Sequence, residues 1–219
     1  IHQGEILAIT GLLGAGRTEL CLSLFGLTKP DSGEIVLEGK TVQFASNRDA
    51  VKAGIGYVSE DRMSTGLVMD QSINDNIIST VLQRLKTPFH LLDRAKSDRI
   101  VTDLIEQLSI KIGSVHLPVN TLSGGNAQRV AIAKWLAINP KVLILDSPTV
   151  GVDIANKAGI YQIISALSRK GIAVLMITDE IDEAYFNSHR ILVMRKGAIV
   201  AEILPEKTTE AALAEVVNG

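Results

Sequence analysis

A glycine-rich stretch near the start of the chain, GLLGAGRTE, has the residue types and spacing of a phosphate-binding loop. It fits the pattern G-x-x-x-x-G-K-[ST], except that Arg17 stands where the pattern has lysine. Glycines let the backbone approach phosphate oxygens, and successive N–H groups can then point at the anion. The residues predicted to bind nucleotide phosphates are Gly11, Leu12, Leu13, Gly14, Ala15, Gly16, Arg17, Thr18 and Glu19.

Two oxygen ligands suited to Mg²⁺ accompany this loop. Thr18 supplies a hydroxyl, and Asp146 ends the apolar run VLILD, which has the character of a buried strand. Arg17 keeps a positive charge at the loop, although its planar guanidinium is not equivalent to an ammonium group. Taken singly, the loop also fits a plain strand-to-helix turn, and Asp146 a polar strand end. Together, in this order, they favour a site for Mg²⁺ and a nucleotide.

A third stretch, LSGGNAQR at 122–129, predicts a second anion-binding helix start. Ser123 is a good helix cap, and the amides of Gly124 and Gly125 would be free to meet an anion. Leu122 precedes Asp146 by 24 positions (146 − 122 = 24), which leaves room for one helix and a turn.

Short apolar runs alternate with helical patterns along much of the chain. GEILAIT, VLILD and IAVLMIT predict buried parallel strands, and the first two are each followed by a helical pattern. Turns at Gly39-Lys40 and Lys196-Gly197 predict two hairpins. INDNIISTVLQRL and DRAKSDRIVTDLIEQL predict two amphipathic helices between residues 72 and 108.

Composition excludes several classes of protein. With 219 residues, a net charge of −2 and 46% hydrophobic residues, the chain predicts a globular domain without a basic surface for nucleic acid. The single cysteine, Cys21, excludes an internal disulfide and fits a small buried residue. The four histidines show no metal-ligand spacing. No apolar run approaches the ~20 residues of a membrane span.

The three motifs together resemble the ATPase domains of the ABC family, and the resemblance covers nearly the whole chain. GAGRTEL, YVSEDR followed by GLV, and GVDIANKAGIYQII are most similar to the second ATPase half of tandem bacterial importers for ribose, galactose, xylose or arabinose. Arg17 is a familiar feature of that group. We therefore expect a fragment of a longer protein whose first strand, with an adenine-stacking aromatic residue, lies upstream of Ile1.

The resemblance implies an α/β P-loop NTPase core with a small antiparallel β subdomain and a helical insertion. The expected division is a single domain, 1–219, with the core and β subdomain at 1–70 and 134–219. The helical subdomain then covers about 71–133. That subdomain and the Glu60 loop are either plain covering elements or the surface that receives a helix of the membrane subunit.

The resemblance also implies partners. In the family, Ser123, Gly124 and Gly125 contact the ATP of a facing ATPase domain, so two domains enclose two ATP molecules. Asp153 matches a loop that reaches across the same dimer, although a helix cap is an equal interpretation. Transmembrane permease subunits, and indirectly a substrate-binding protein, are expected partners, with no nucleic acid. The expected location is peripheral, at the cytoplasmic face of the inner membrane.

Three positions depart from the family pattern. Ser147 stands where the catalytic glutamate follows Asp146, Asp179 where a histidine contacts the γ-phosphate, and Glu60 where a glutamine is usual. A serine hydroxyl is a poor general base near neutral pH, and an anionic Asp179 would repel phosphate. We expect Mg-ATP binding with slow or no hydrolysis in this site. Asp179 or Glu60 replacing the lost base is the less favoured interpretation, and Ser147 is either natural or an engineered trap.

Two alternatives stay open at the level of sequence. One is a fully active ABC ATPase in which unusual residues replace the missing glutamate and histidine. The other is a non-transport member of the family, acting in DNA repair or translation. Such members carry coiled-coil or zinc insertions or basic arms, and the chain shows none of these patterns.

Overall fold

The computed structural model describes residues 1–219, with eight strands and eight α-helices. The strands are β1 (Ile6–Thr10), β2 (Ile35–Leu37), β3 (Lys40–Val42), β4 (Ile55–Val58), β5 (Val142–Asp146), β6 (Ala173–Ile177), β7 (Arg190–Arg195) and β8 (Ala198–Ile203). The helices are α1 (Arg17–Leu24), α2 (Asn47–Ala53), α3 (Ile73–Ile78), α4 (Arg94–Gln107), α5 (Gly124–Leu136), α6 (Ile154–Arg169), α7 (Ile181–Asn187) and α8 (Glu210–Asn218). Shorter turns are one π-helical turn (Arg62–Gly66) and three 3₁₀ turns (Leu82–Leu85, Val119–Thr121 and Pro205–Lys207).

A six-stranded sheet, ordered β4-β5-β6-β1-β7-β8, forms the main layer. β1 runs parallel to β6 and β7, β5 runs parallel to β6, and β8 pairs antiparallel with β7. Every residue of β1 and β6 is buried, as expected for strands covered on both faces. The register places Ile9 and Asp146 opposite Ile177, so β1, β5 and β6 end at the same edge. The predicted α/β class with a largely parallel sheet is confirmed.

Two tight hairpins join antiparallel strands. β2 and β3 form a separate two-stranded sheet, joined through Glu38 (φ 51°) and Gly39 (φ 75°). β7 and β8 are joined through Lys196 (φ 49°) and Gly197 (φ 80°). Two successive residues with positive φ make the type I′ turn that matches strand twist. The predicted turn at Gly39-Lys40 is therefore one residue too late, because Lys40 already begins β3.

The chain divides into two compact units. The first comprises Ile1–Tyr57, Lys141–Ser147 and Ser165–Gly219, and it contains most of the main sheet. The second comprises Val58–Pro140 and Pro148–Ile164. No helix of the chain combines the length and the apolar character needed to cross a bilayer.

In the second unit, α3, α4 and α5 pack against one another around buried isoleucine, leucine and valine side chains. The helix predicted over INDNIISTVLQRL is shorter than expected, since α3 ends at Ile78. The hydroxyl of Ser79 donates to the Asn76 carbonyl, and that of Thr80 donates to the Lys134 carbonyl. Hydroxyl side chains that bond to backbone groups compete with helix continuation, which explains the early end.

Three helices, α2, α7 and α8, do not follow from the sequence patterns above. α2 and α7 have seven residues each, and α8 has nine. Two turns of helix are too short for apolar periodicity to separate them from a loop. In the first unit, α7 and α8 pack against each other and α7 also contacts β1.

Candidate functional site

The glycine-rich loop connects β1 to α1 at the carboxyl edge of the sheet. Gly14 (φ 76°) and Gly16 (φ 100°) are both left-handed, and Gly16 forms the N-cap from which α1 begins at Arg17. Leu12 and Leu13 are 51% and 91% exposed, so the loop stands open to solvent. A left-handed turn that leads into a helix N-terminus presents backbone N–H groups to an anion. The predicted strand–loop–helix arrangement is present.

Close packing against the β7–β8 hairpin fixes the base of this loop. A Cβ on Gly11, whose φ is 155°, would lie 2.1 Å from the carbonyl oxygen of Met194. The N–H of Gly197 donates to the Ala15 carbonyl at 2.8 Å. Only glycine fits at position 11, and the hairpin turn holds the middle of the loop.

Arg17 bonds to the protein backbone. Its Nη1 donates to the carbonyl oxygens of Gly11 and, at 3.1 Å, Thr178. The cation therefore ties the loop to the end of β6. The sequence predicts a cation directed at phosphate, whereas the observed bonds place this nitrogen among backbone carbonyls.

Thr18 and Asp146 come together in the first unit, as the sequence predicts for a shared Mg²⁺. Thr18 Oγ1 lies 3.5 Å from Asp146 Oδ1, and Asp146 is 2% exposed. A hydroxyl and a carboxylate are the hard oxygen ligands that Mg²⁺ takes in nucleotide sites, so this pair fits the ion.

Tyr57 also bonds to Asp146, a partnership that sequence reasoning misses. The phenol donates to Asp146 Oδ2 at 2.7 Å, and the ring stacks on Phe25 with centroids 5.3 Å apart. The bond holds the carboxylate with its other oxygen towards Thr18. Cys21, which the sequence predicts to be buried, is fully buried near the same carboxylate. Burial, and then the charge of Asp146, raise the pKa of the Cys21 thiol.

Ser147 and Asp179 follow neighbouring strands at the same sheet edge. Ser147 is half-buried and left-handed (φ 47°), and its N–H donates to the Ile177 carbonyl at 2.9 Å. Asp179 comes two residues after Ile177 and is exposed. The first unit thus brings the glycine loop, Asp146, Ser147 and Asp179 to one edge.

The second unit contains the other predicted residues. Ser123 caps α5, and its Oγ accepts from the backbone N–H of Asn126 at 3.4 Å. Ser123 is exposed, whereas Gly125 is buried, with a Cβ built there only 3.0 Å from Asn156 Cβ. The predicted helix start capped by Ser123 is present, anion binding there stays a prediction, and Gly125 is needed for close packing.

Asp153 caps α6, as the helix-cap interpretation of this residue predicts. Its Oδ1 accepts from the N–H of Asn156 at 3.1 Å, and its Oδ2 accepts from Asn156 Nδ2 at 2.8 Å. The side-chain hydrogen bond from Asn156 lowers the pKa of Asp153. The carboxyl group is exposed, so capping does not exclude a contact with a partner.

Glu60 is exposed and precedes a π-helical turn that the sequence does not predict. Asp61 caps this turn by accepting from the N–H groups of Met63 and Ser64. Hydrogen bonds from the Ser64 side chain and backbone lower the pKa of Asp61. The following residue, Arg62, is buried.

Comparison with known proteins identifies the family of this chain. The family model described as ABC transporter matches residues 1–150. The chain belongs to the ABC transporter family. This ABC domain is 40% identical to the ribose import ATP-binding protein of Bacillus subtilis over 219 residues, which is 100% of the chain and 44% of that protein. The corresponding protein of Bacillus licheniformis is 42% identical over the same shares.

The chain therefore spans about 44% of the length of these relatives. The predicted resemblance to the sugar-type importer group is confirmed, and this share fits one half of a longer protein.

Solved structures show the same fold. The ABC domain superposes on cbiO1 of Clostridium perfringens, described as part of the transporter complex cbiONQ, with a TM-score of 0.78 and 28% identity. That match covers 99% of this chain and 82% of the other. A dimeric ATP-binding cassette in a post-hydrolysis state with ADP and Pi gives a TM-score of 0.80 at 23% identity, covering 94% of this chain and 87% of the other. The predicted P-loop NTPase fold is confirmed.

Proposed function

We propose that this ABC domain binds Mg-ATP through the loop Gly11–Thr18 and Asp146 as part of an ATP-driven importer for a monosaccharide. The observation that carries the proposal is the pairing of a left-handed helix start at Gly16 with Thr18 Oγ1 lying 3.5 Å from Asp146 Oδ1. It sets anion-binding amides beside two oxygen ligands for Mg²⁺. The sugar class is supported by similarity to ribose import ATP-binding proteins.

In this proposal the chain's own residues hold and orient the nucleotide. Magnesium, when bound, neutralises negative charge on the phosphates. Thr18 and Asp146 hold the ion, while Tyr57 keeps the carboxylate in one orientation through its 2.7 Å hydrogen bond. Arg17 stabilises the loop by donating hydrogen bonds to the carbonyls of Gly11 and Thr178.

The second unit serves a neighbouring site. Ser123, Gly124 and Gly125 contribute a helix start, at which Ser123 is exposed, to the ATP held by a second ABC ATPase domain, fused or separate. Support comes from the positive end of α5, where backbone amides favour an anion. Asp153 lies on the same unit and reaches towards the same partner domain.

The partners in transport are transmembrane permease subunits and, through them, a substrate-binding protein. The domain then acts as a peripheral protein at the cytoplasmic face of the inner membrane. The helical region at about 71–133 and the Glu60 loop offer the surface for a permease helix. The name of the Bacillus subtilis relative, ribose import ATP-binding protein, supports a role in an import system.

We further propose that this site hydrolyses its own ATP slowly or not at all. Ser147 lacks the basicity of a carboxylate, and a positioned general base contributes about 10²–10⁴-fold to rate. The exposed Asp179, at the same sheet edge, sets a negative charge where phosphate binds. In the second unit, Glu60 stands where the family pattern has a neutral glutamine.

Calorimetric titration of the folded 219-residue chain with ATP, in Mg²⁺ and in EDTA, tests nucleotide binding. We expect Asp146→Asn to weaken Mg-ATP binding by about 10–100-fold or more, since loss of even an outer-shell partner of a metal has an effect of that size, while Mg-free binding changes by about two-fold or less. Asp31→Asn is the matched control, because Asp31 is exposed and lies in the same unit. A folded chain that takes up no adenine nucleotide in either buffer would refute the proposal.

A further inference from the structure

Arg62 begins the π-helical turn, and its side chain points into the protein. The residue is 8% exposed. Nη1 donates to the carbonyl of Val150 at 2.7 Å, and Nη2 donates to the carbonyl of Gly151 at 2.9 Å. One planar group thus fixes the direction of two successive carbonyls. These carbonyls lie three and two positions before Asp153, whose carboxylate caps α6.

The Arg62 guanidinium donates its hydrogen bonds to these two carbonyls. The carboxylate of the neighbouring Asp61 instead caps the π-helical turn. Burial lowers the pKa of Arg62, and the charge of Asp61 opposes that effect. Burying a cation is unfavourable unless its hydrogen bonds are well made. An apolar side chain of similar volume would fill the space at lower cost, so the arginine is better explained by the orientation of its bonds.

Two glycines make room for this guanidinium. A Cβ on Gly151 would lie 3.1 Å from Arg62 Nη2 and 3.4 Å from Nη1. A Cβ on Gly124 would lie 2.7 Å from the Gly151 carbonyl oxygen and 3.2 Å from Arg62 Nη2. The first residue of α5, the loop before Asp153 and the guanidinium are therefore in direct contact, with no space for a methyl group.

The other end of the π-helical turn is attached to α5 as well. Lys134 Nζ donates to the carbonyl of Gly66 at 2.8 Å. Burial lowers the pKa of Lys134. The turn is therefore attached to the loop before Asp153 at its first residue and to α5 at its last. π-Helical turns occur frequently at functional sites.

We infer that Arg62 is a positioning residue that holds the Ser123-Gly124-Gly125 helix start and the Asp153 loop as one rigid surface. This inference rests on the proposed function, in which that surface closes on the ATP of the partner domain. Arg62 then governs hydrolysis at the partner's site. Mg-ATP binding by its own loop, which belongs to the other unit, is independent of it.

Steady-state ATPase kinetics of the full-length protein that contains this chain test the inference. Arg62→Gln is expected to lower kcat by about 10–100-fold with KM changed by about two-fold or less, since a small misplacement of catalytic groups has an effect of that size. Arg62→Lys restores part of kcat, because an ammonium can still donate to a carbonyl. Arg190→Gln is the control, since the guanidinium of Arg190 also makes hydrogen bonds, to Glu5 and Glu202, but within the first unit.

An unchanged kcat in Arg62→Gln overturns the inference, as does an equal loss in Arg190→Gln. A large rise in KM, or weaker Mg-ATP binding at this chain's own loop, also overturns it, because the effect would then be general unfolding.

Amide hydrogen exchange without nucleotide tests the same contact independently of the proposed function. In Arg62→Gln, we expect faster exchange at residues 124–126 and 150–156, with exchange in β1 and β6 unchanged. Unchanged exchange at both segments overturns the inference. If the wild-type protein binds no ATP but shows this pattern in the variant, the proposed function fails while the positioning role of Arg62 stands.

Discussion

Replacement of Tyr57 by phenylalanine isolates the contact that orients Asp146. The phenol donates to Asp146 Oδ2 at 2.7 Å, with Tyr57 7% exposed and Asp146 2% exposed. Phenylalanine keeps the ring and therefore its stacking on Phe25. The substitution removes only the hydroxyl, and it leaves a buried carboxylate oxygen without that donor.

The size of the effect follows from the charge on the acceptor. A hydrogen bond to a charged group contributes about 1.5–3 kcal/mol to stability, against about 0.5–1.5 kcal/mol for a neutral pair. We therefore expect Tyr57→Phe to lower the free energy of unfolding by about 2 kcal/mol. For a domain of this size that corresponds to a fall in Tm of about 4–8 °C.

Urea unfolding followed by circular dichroism measures this change, as a shift of the midpoint at constant m-value. Tyr185→Phe is the matched control, since the Tyr185 hydroxyl donates to a neutral carbonyl, that of Thr208, at 3.1 Å in the same unit. We expect the control to lose about half as much or less. Equal losses in the two variants would refute the reasoning that Tyr57 bonds to an ionised Asp146.

Two further predictions concern hydrolysis and pH. Ser147→Glu should raise the rate of ATP hydrolysis by the paired assembly, by up to about 10²–10⁴-fold if only the general base is missing. Phosphate release measures this rate. No increase would mean that other residues, such as Asp179, already block the site. The pH prediction concerns Glu5, whose Oε1 accepts a hydrogen bond from Arg190 Nε at 2.7 Å. Burial alone would raise the pKa of Glu5. The hydrogen bonds from Arg190 and His2 outweigh that effect and lower the pKa below its ordinary value of 4.5. A carboxyl group whose pKa is lower in the folded than in the unfolded state stabilises the fold at pH values above the unfolded-state pKa. The wild-type protein should therefore be more stable than Glu5→Gln by a constant amount near neutral pH, and this difference should shrink as pH falls below about 4.5. A gap between the two urea midpoints that persists in acid would contradict this account.

Much of the fold follows from local patterns. β1, β5 and β6 are continuous apolar runs, and a strand buried on both faces needs no partner to be recognised in sequence. The β7–β8 turn is equally local, because Lys196-Gly197 carries the two positive φ angles that such a hairpin needs. The shorter α3 is a different case, since the Thr80 hydroxyl bonds to Lys134, a residue of another helix.

The sequence by itself determined the chemistry of the nucleotide loop, the strand that ends in Asp146 and the capped helix start at Ser123. Each is a short motif whose function depends on backbone geometry within a few residues. Tertiary structure alone decided that Tyr57 orients Asp146 and that Arg62 fixes the carbonyls of Val150 and Gly151. The partners in these bonds are separated by 88 to 89 positions in the chain. Contacts over such distances are set by strand register and loop packing, which no local pattern encodes.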